Sequence, residues 1–178
     1  YTTMNNPNGY GVSMAVGGAE IKLIDHAQAY SVFANNGVLT QHEVISKIID
    51  KDGKVLYQHV PKSKQVADPR GVYLVNDILN GNKKGPGYSF DGRDMAGKTG
   101  TSESQKETLY MAYSPEIVVG GMMINNDNSP MRYGATGFTS VRPWVGEFLE
   151  LIAFKYPPTA FQFPTGIEAK TDGDLIIK

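Results

Sequence analysis

Leu23, Ala27, Tyr30 and Ala34 recur at intervals of four, three and four residues, which is one face of a helix. Asn35-Asn36-Gly37 ends that pattern with a glycine suited to a left-handed cap. The apolar runs 44–49 and 55–57 flank Asp52-Gly53, and a tight turn there needs positive φ, so the sequence predicts a hairpin. Asp68-Pro69 then opens a second helix, with Asp68 as cap and proline in the first turn. Val72, Val75, Ile78 and Leu79 supply its predicted apolar face, and Gly81 ends it. Three β-prone stretches follow, at 95–101, 108–113 and 117–124. Their connections are too short for parallel crossovers, so the expectation is a consecutive antiparallel meander. A last helix is predicted from a cap at Thr139 or Ser140, with Pro143 tolerated in its first turn. Val141, Val145, Phe148 and Ile152 form its expected buried face, with Trp144 and Leu151 alongside.

Between these elements the pattern is lost. Residues 1–19 read as loop, 81–94 as a polar, glycine-rich loop, and 125–137 as loop again. Residues 156–178 show no periodicity and read as an extended tail after a body of helices and sheet at 1–155. The fold class expected is α+β, an antiparallel sheet covered by helices.

Composition narrows the function. A chain of 178 residues, 40% hydrophobic, is long enough for one core. A net charge of −1 gives no electrostatic footprint for nucleic acid. With no cysteine there are no disulfides and no thiol chemistry. His26, His42 and His59 are scattered, with no metal-ligand spacing, so no metal site is expected. No cofactor is implied either. No apolar run reaches membrane-spanning length. The chain begins at Tyr1, and the expectation is a portion of something longer.

Two sharp readings compete over one stretch. Gly92-Arg93-Asp94-Met95-Ala96-Gly97-Lys98-Thr99 matches the phosphate-loop pattern G-x-x-x-x-G-K-[ST] at each fixed position. That motif needs an apolar strand before it and a helix after it. Here Gly85-Pro86-Gly87 precedes and Gly100-Thr101-Ser102 follows, so the context argues against nucleotide binding. The plainer reading is an edge strand with an exposed lysine. Trp144, Phe148, Phe154 and Phe161 are read as core aromatics, and Met122-Met123 as gap-fillers inside a strand. Lys83-Lys84 reads as a solvated pair.

The second sharp reading is a resemblance. Lys98-Thr99-Gly100-Thr101 resembles the third active-site signature of the penicillin-recognising serine enzymes. Its surroundings resemble the C-terminal half of the transpeptidase domain of penicillin-binding proteins, most closely the class A type. Residues 27–37 are similar to the family helix that follows its Ser-x-Asn motif. Residues 47–56 are similar to a surface hairpin, Tyr113-Ser114-Pro115 to a turn, and Pro164-Thr165-Gly166-Ile167 to the closing segment. The stretch 107–112 lacks the tryptophan and glycine usual in the strand after the motif. No serine here has a lysine three places on or an asparagine two places on, so the nucleophile and the Ser-x-Asn loop are absent.

The resemblance implies a five-stranded sheet in the intact domain and an upstream half as partner. It implies a serine D,D-transpeptidase on the outer face of the cytoplasmic membrane, anchored by an N-terminal segment. Peptidoglycan stem peptides ending in D-alanyl-D-alanine, and β-lactams, are the ligands implied. Lys98 would supply a fixed cation, and Thr99 and Thr101 hydroxyls would bind the substrate carboxylate. Gly100 would let the substrate backbone lie against the strand, and the Thr101 N–H would serve as an oxyanion donor. A non-catalytic binding module on the same fold is the remaining alternative.

Overall fold

A computed structural model describes residues 1–6, 9–81, 85, 87–90, 92–93, 95–170 and 173–178. The meander forms as expected. Strands β5 (Ala96–Thr101), β6 (Glu107–Tyr113) and β7 (Val118–Ile124) pair antiparallel in the order β5-β6-β7. They follow α1 (Leu23–Ala34), β1 (Val38–Thr40), β2 (Lys47–Ile49), β3 (Val55–Gln58), β4 (Ser63–Gln65) and α2 (Pro69–Leu79), and precede α3 (Arg142–Ile152).

Helices cover both faces of this sheet. Tyr113 and Ala96 point to the α1 side, where Tyr30, Phe33 and Phe161 pack on them. Tyr110 and Ala112 point to the α3 side, against Val141, Val145 and Leu149. Residues 110–113 of the central strand are wholly buried as a result. The Tyr113 hydroxyl donates to Asn76 Oδ1 at 2.9 Å, and Asn76 Nδ2 donates to the Phe33 carbonyl at 3.0 Å. One buried polar pair thus ties the sheet, α1 and α2 together, with its hydrogen bonds made.

Local chemistry sets the helix ends. The Asp68 carboxylate accepts from Arg70 N at 2.9 Å, and Pro69 is the first residue of α2. Hydrogen bonds from Arg70 hold the Asp68 carboxyl down at about 2. Gly37 closes α1 at φ 88°, and a Cβ there would lie 2.4 Å from the Ala67 carbonyl. Both the conformation and the close approach call for glycine.

Residues 38–65 form a two-part arm. The β1–β4 pair makes its base, and β2–β3 extends it through the expected turn, with Gly53 at φ 84°. All residues of β2 and β3 are exposed.

Several expectations are corrected. The last helix is capped at Thr136, not Thr139 or Ser140, because a π-helical turn over Gly137–Val141 comes before α3. Leu149 replaces Phe148 on the buried face, at two steps of four from Val141. Phe148 and Leu151 turn outward at 44% and 73% exposure, while Trp144, 42% exposed, keeps its ring edge over the sheet. On α2, Asn76 is buried where Ile78 was expected, because Asn76 bonds Tyr113. Met122 and Met123 are exposed: Leu23, the first residue of α1, sits over Gly120, and Trp144 and Val145 of α3 over Gly121, so β7 runs on past its cover. Phe161 is buried, whereas Phe154 is exposed.

Two segments read as irregular hold short elements. Val12–Val16 is an exposed 3-10 turn. The stretch 156–178 carries a hairpin, β8 (Ile167–Ala169) with β9 (Leu175–Ile177). Phe161 packs on Tyr113 with ring centroids 5.8 Å apart, and Arg70 Nη1 donates to the Lys178 carbonyl at 3.3 Å. These contacts fasten the stretch to the sheet and α2. Lys83, Lys84 and Asp94 lie outside the described residues.

Candidate functional site

β5 is an edge strand whose two ends differ. At its start, Asn80 bridges Ala96, and Gly81 N donates to the Met95 carbonyl at 2.9 Å. From Lys98 to Thr101 no strand pairs with the outer edge among the described residues. That edge offers unpaired backbone groups, the geometry by which a sheet accepts an extended peptide.

Alternation along β5 sorts its side chains. Ala96, Lys98 and Gly100 share the α1 face with their partners Tyr113, Met111 and Leu109. Gly97, Thr99 and Thr101 share the other with Ala112, Tyr110 and Thr108. Lys98 is exposed, and its ammonium donates to the Thr99 carbonyl at 2.8 Å. Thr99 is half-buried and Thr101 exposed. Gly97 is buried beneath Tyr110, whose hydroxyl would lie 2.6 Å from an added Cβ. Burial pushes the Tyr110 phenol up to about 12, so it stays a neutral packing group.

The structure thus brings Lys98, Thr99, Gly100 and Thr101 onto one open edge. It brings no hydroxyl nucleophile to lysine in the serines whose bonds are defined. Ser31 donates to the Gln28 carbonyl, Ser63 meets Thr40, and Ser102 accepts from Lys106 N and Glu107 N. Ser114 donates to Glu116, and Ser129 to Asp127. No helix follows Thr99, as a phosphate loop would require. Thr99 lies mid-strand, and Ser102 begins the turn into β6, with Gln105 at φ 52°. Among the described residues no cluster of His, Asp and Glu is set to hold a metal, and no helix is long and apolar enough to cross a membrane.

Sequence reasoning missed one member of the site. Gly137 N donates to Thr101 Oγ1 at 3.1 Å. A Cβ on Gly137 would lie 2.3 Å from the Leu109 carbonyl and 2.7 Å from that of Gly100. The first turn of the π segment therefore rests directly on the backbone of the edge strand. The signal available was Thr136-Gly137-Phe138-Thr139, a capping pattern one turn earlier than the cap expected.

Comparison with known proteins bears on the family and the fold. Residues 5–137 match the family model for the penicillin binding protein transpeptidase domain. Penicillin-binding protein 1A of Neisseria meningitidis serogroup A is 33% identical over 178 residues, covering 94% of this chain and 22% of that protein. Penicillin-binding protein 1A of Clostridium botulinum is 32% identical over 145 residues, covering 79% and 17%. This chain therefore spans about a fifth of the length of these relatives. In fold it resembles penicillin-binding protein 1A from Haemophilus influenzae, with a TM-score of 0.72 and 20% identity, over 89% of this chain and 30% of that one. It also resembles penicillin-binding protein A from M. tuberculosis, solved as an imipenem acyl-enzyme complex, with a TM-score of 0.61 and 20% identity over 73% and 31%. With a family model covering most of its length and relatives a third identical to it, this chain belongs to the penicillin-binding protein transpeptidase family.

Proposed function

We propose that this chain is the C-terminal part of a serine D,D-transpeptidase domain and carries its substrate-gripping strand. The observation that supports this most is the open edge of β5, with Lys98, Thr99, Gly100 and Thr101 along it. The stem peptide lies along that edge, and Gly100 leaves room for its backbone. Lys98 brings a fixed positive charge beside the reacting carbonyl. Thr99 and Thr101 hydroxyls hold the terminal carboxylate, and the Thr101 N–H donates to the oxyanion.

The nucleophilic serine comes from an upstream half of the same domain, which packs against this part as its partner. Its oxygen attacks the carbonyl of the penultimate D-alanine. The C–N bond breaks, and the last D-alanine leaves as the protonated amine. The acyl-enzyme then passes its acyl group to an amine of a neighbouring strand. β-Lactams take the donor's place, and the work is done on the outer face of the cytoplasmic membrane.

The test compares two proteins. The full-length protein should be acylated by a fluorescent penicillin, and Lys98→Ala should slow that step by about a hundredfold with the melting temperature unchanged. Residues 1–178 alone should not be labelled. Unaltered acylation in Lys98→Ala would reduce Lys98 to a surface residue, and stoichiometric labelling of residues 1–178 would place the nucleophile inside this chain.

A further inference from the structure

The turn that precedes α3 bears on the far end of the edge strand in a way that constrains one hydroxyl. Thr101 Oγ1 accepts the Gly137 N–H at 3.1 Å. That amide is held in place from two sides. From below, Gly137 lies so close to the Leu109 and Gly100 carbonyls that any side chain would lift it away. From behind, Thr136 and Thr139 cap each other. Thr139 N donates to Thr136 Oγ1 at 3.1 Å, and Thr136 N donates to Thr139 Oγ1 at 3.0 Å. The Thr139 hydroxyl also donates to the Gly134 carbonyl at 3.0 Å. The preceding loop is fixed to the β5–β6 turn by Met131 N, which donates to the Gln105 carbonyl at 2.8 Å.

We infer that Thr136, Gly137 and Thr139 are positioning residues that set the direction of the Thr101 hydroxyl and thereby select substrates with a free carboxylate. A threonine hydroxyl has one proton and two lone pairs. The Gly137 N–H occupies one lone pair, so the proton is kept off that side and left for an acceptor from outside. No described residue takes that proton, and Thr101 is exposed. An ionised carboxylate only accepts hydrogen bonds, so it gains from a hydroxyl already oriented as donor. A neutral ester gains far less. The inference rests on the proposed contact between Thr101 and the substrate carboxylate.

The test uses the full-length protein and two probes, benzylpenicillin and its methyl ester. Thr139→Val removes the acceptor for Thr136 N and the bond to Gly134 while keeping the side-chain shape. It should slow acylation by benzylpenicillin about tenfold, the worth of a hydrogen bond to a charged group, and leave the ester's rate unchanged. Thr139→Ser should restore the preference. Thr101→Val should compress it likewise, and the double variant should be no worse than Thr101→Val alone, because the two act through one hydroxyl. Thr139→Ala replaces the valine variant if that one fails to fold. Equal slowing of both probes, an unchanged ratio, or additive losses in the double variant would overturn the inference. If instead Thr101→Val itself leaves the ratio unchanged, the assignment of Thr101 to the carboxylate fails, and the inference falls with it.

Discussion

Gly97 and Lys98 are neighbours in one strand, yet they answer to different physics. Gly97 is fixed by what lies under it. An added methyl would meet the Tyr110 hydroxyl at 2.6 Å and the Met111 carbonyl at 2.9 Å. Tyr110 is wholly buried, so its ring has nowhere to retreat. Gly97→Ala is therefore expected to destabilise the full-length protein by about 1–3 kcal/mol, as overpacking does, with a matching fall in melting temperature. Lys98 points into open space and touches only the next carbonyl. Its loss should leave the melt alone and appear in acylation. A Gly97→Ala variant with unchanged stability would show that the strand can shift away from β6.

At the scale of elements, the sequence carried the three-stranded meander well, because its alternation is local and its turns are short. Lys98–Thr101 could be singled out for the same reason, as a contiguous motif that fills the second half of one strand. The face of α3 was not. Spacings of three and four both fit a helix, so Phe148 and Leu149 were equally good candidates. The choice is made by distant contacts: Gly146 lies under the Tyr88 ring, and Leu149 packs in the cluster with Tyr110. The cap at Thr136 could be read locally, but the approach of Gly137 to Gly100 could not, since it joins residues far apart in the chain. The difference can be measured. Leu149→Ala should cost about 2–5 kcal/mol as a buried large-to-small change. Phe148→Ala should cost less than about 1 kcal/mol unless a partner covers that face. Equal losses measured in the full-length protein would show that the outer stripe of α3 is buried in the intact domain.

Over the whole molecule, apolar surface is left facing outward in several places. Phe148 and Leu151 line the outer side of α3, Trp144 is partly exposed beside them, and Met122, Met123 and Ile124 extend the end of β7. Ile24 is 54% exposed on α1. Outward apolar surface of this kind marks interaction sites or aggregation liabilities, and the open edge of β5 adds to the tendency. With the proposed upstream half absent, residues 1–178 are expected to bind a hydrophobic dye and to melt without a sharp transition. A monodisperse monomer with a cooperative melt and no dye binding would instead make this chain a self-contained domain.

The arm at 38–65 leaves and rejoins the body through one ladder, in which Thr40 lies opposite Ser63 and their hydroxyls meet at 2.8 Å. Beyond that rung His42 still bonds Gln28 of α1, but everything else is exposed apart from Asp50 and His59, and the β2–β3 ribbon is stitched mainly to itself. The span between His42 and Ser63 is thus free to lengthen, shorten or be replaced by a bare turn without moving Gly37, α2 or β5. Evolution can edit the outline of the molecule there while the gripping strand keeps its register.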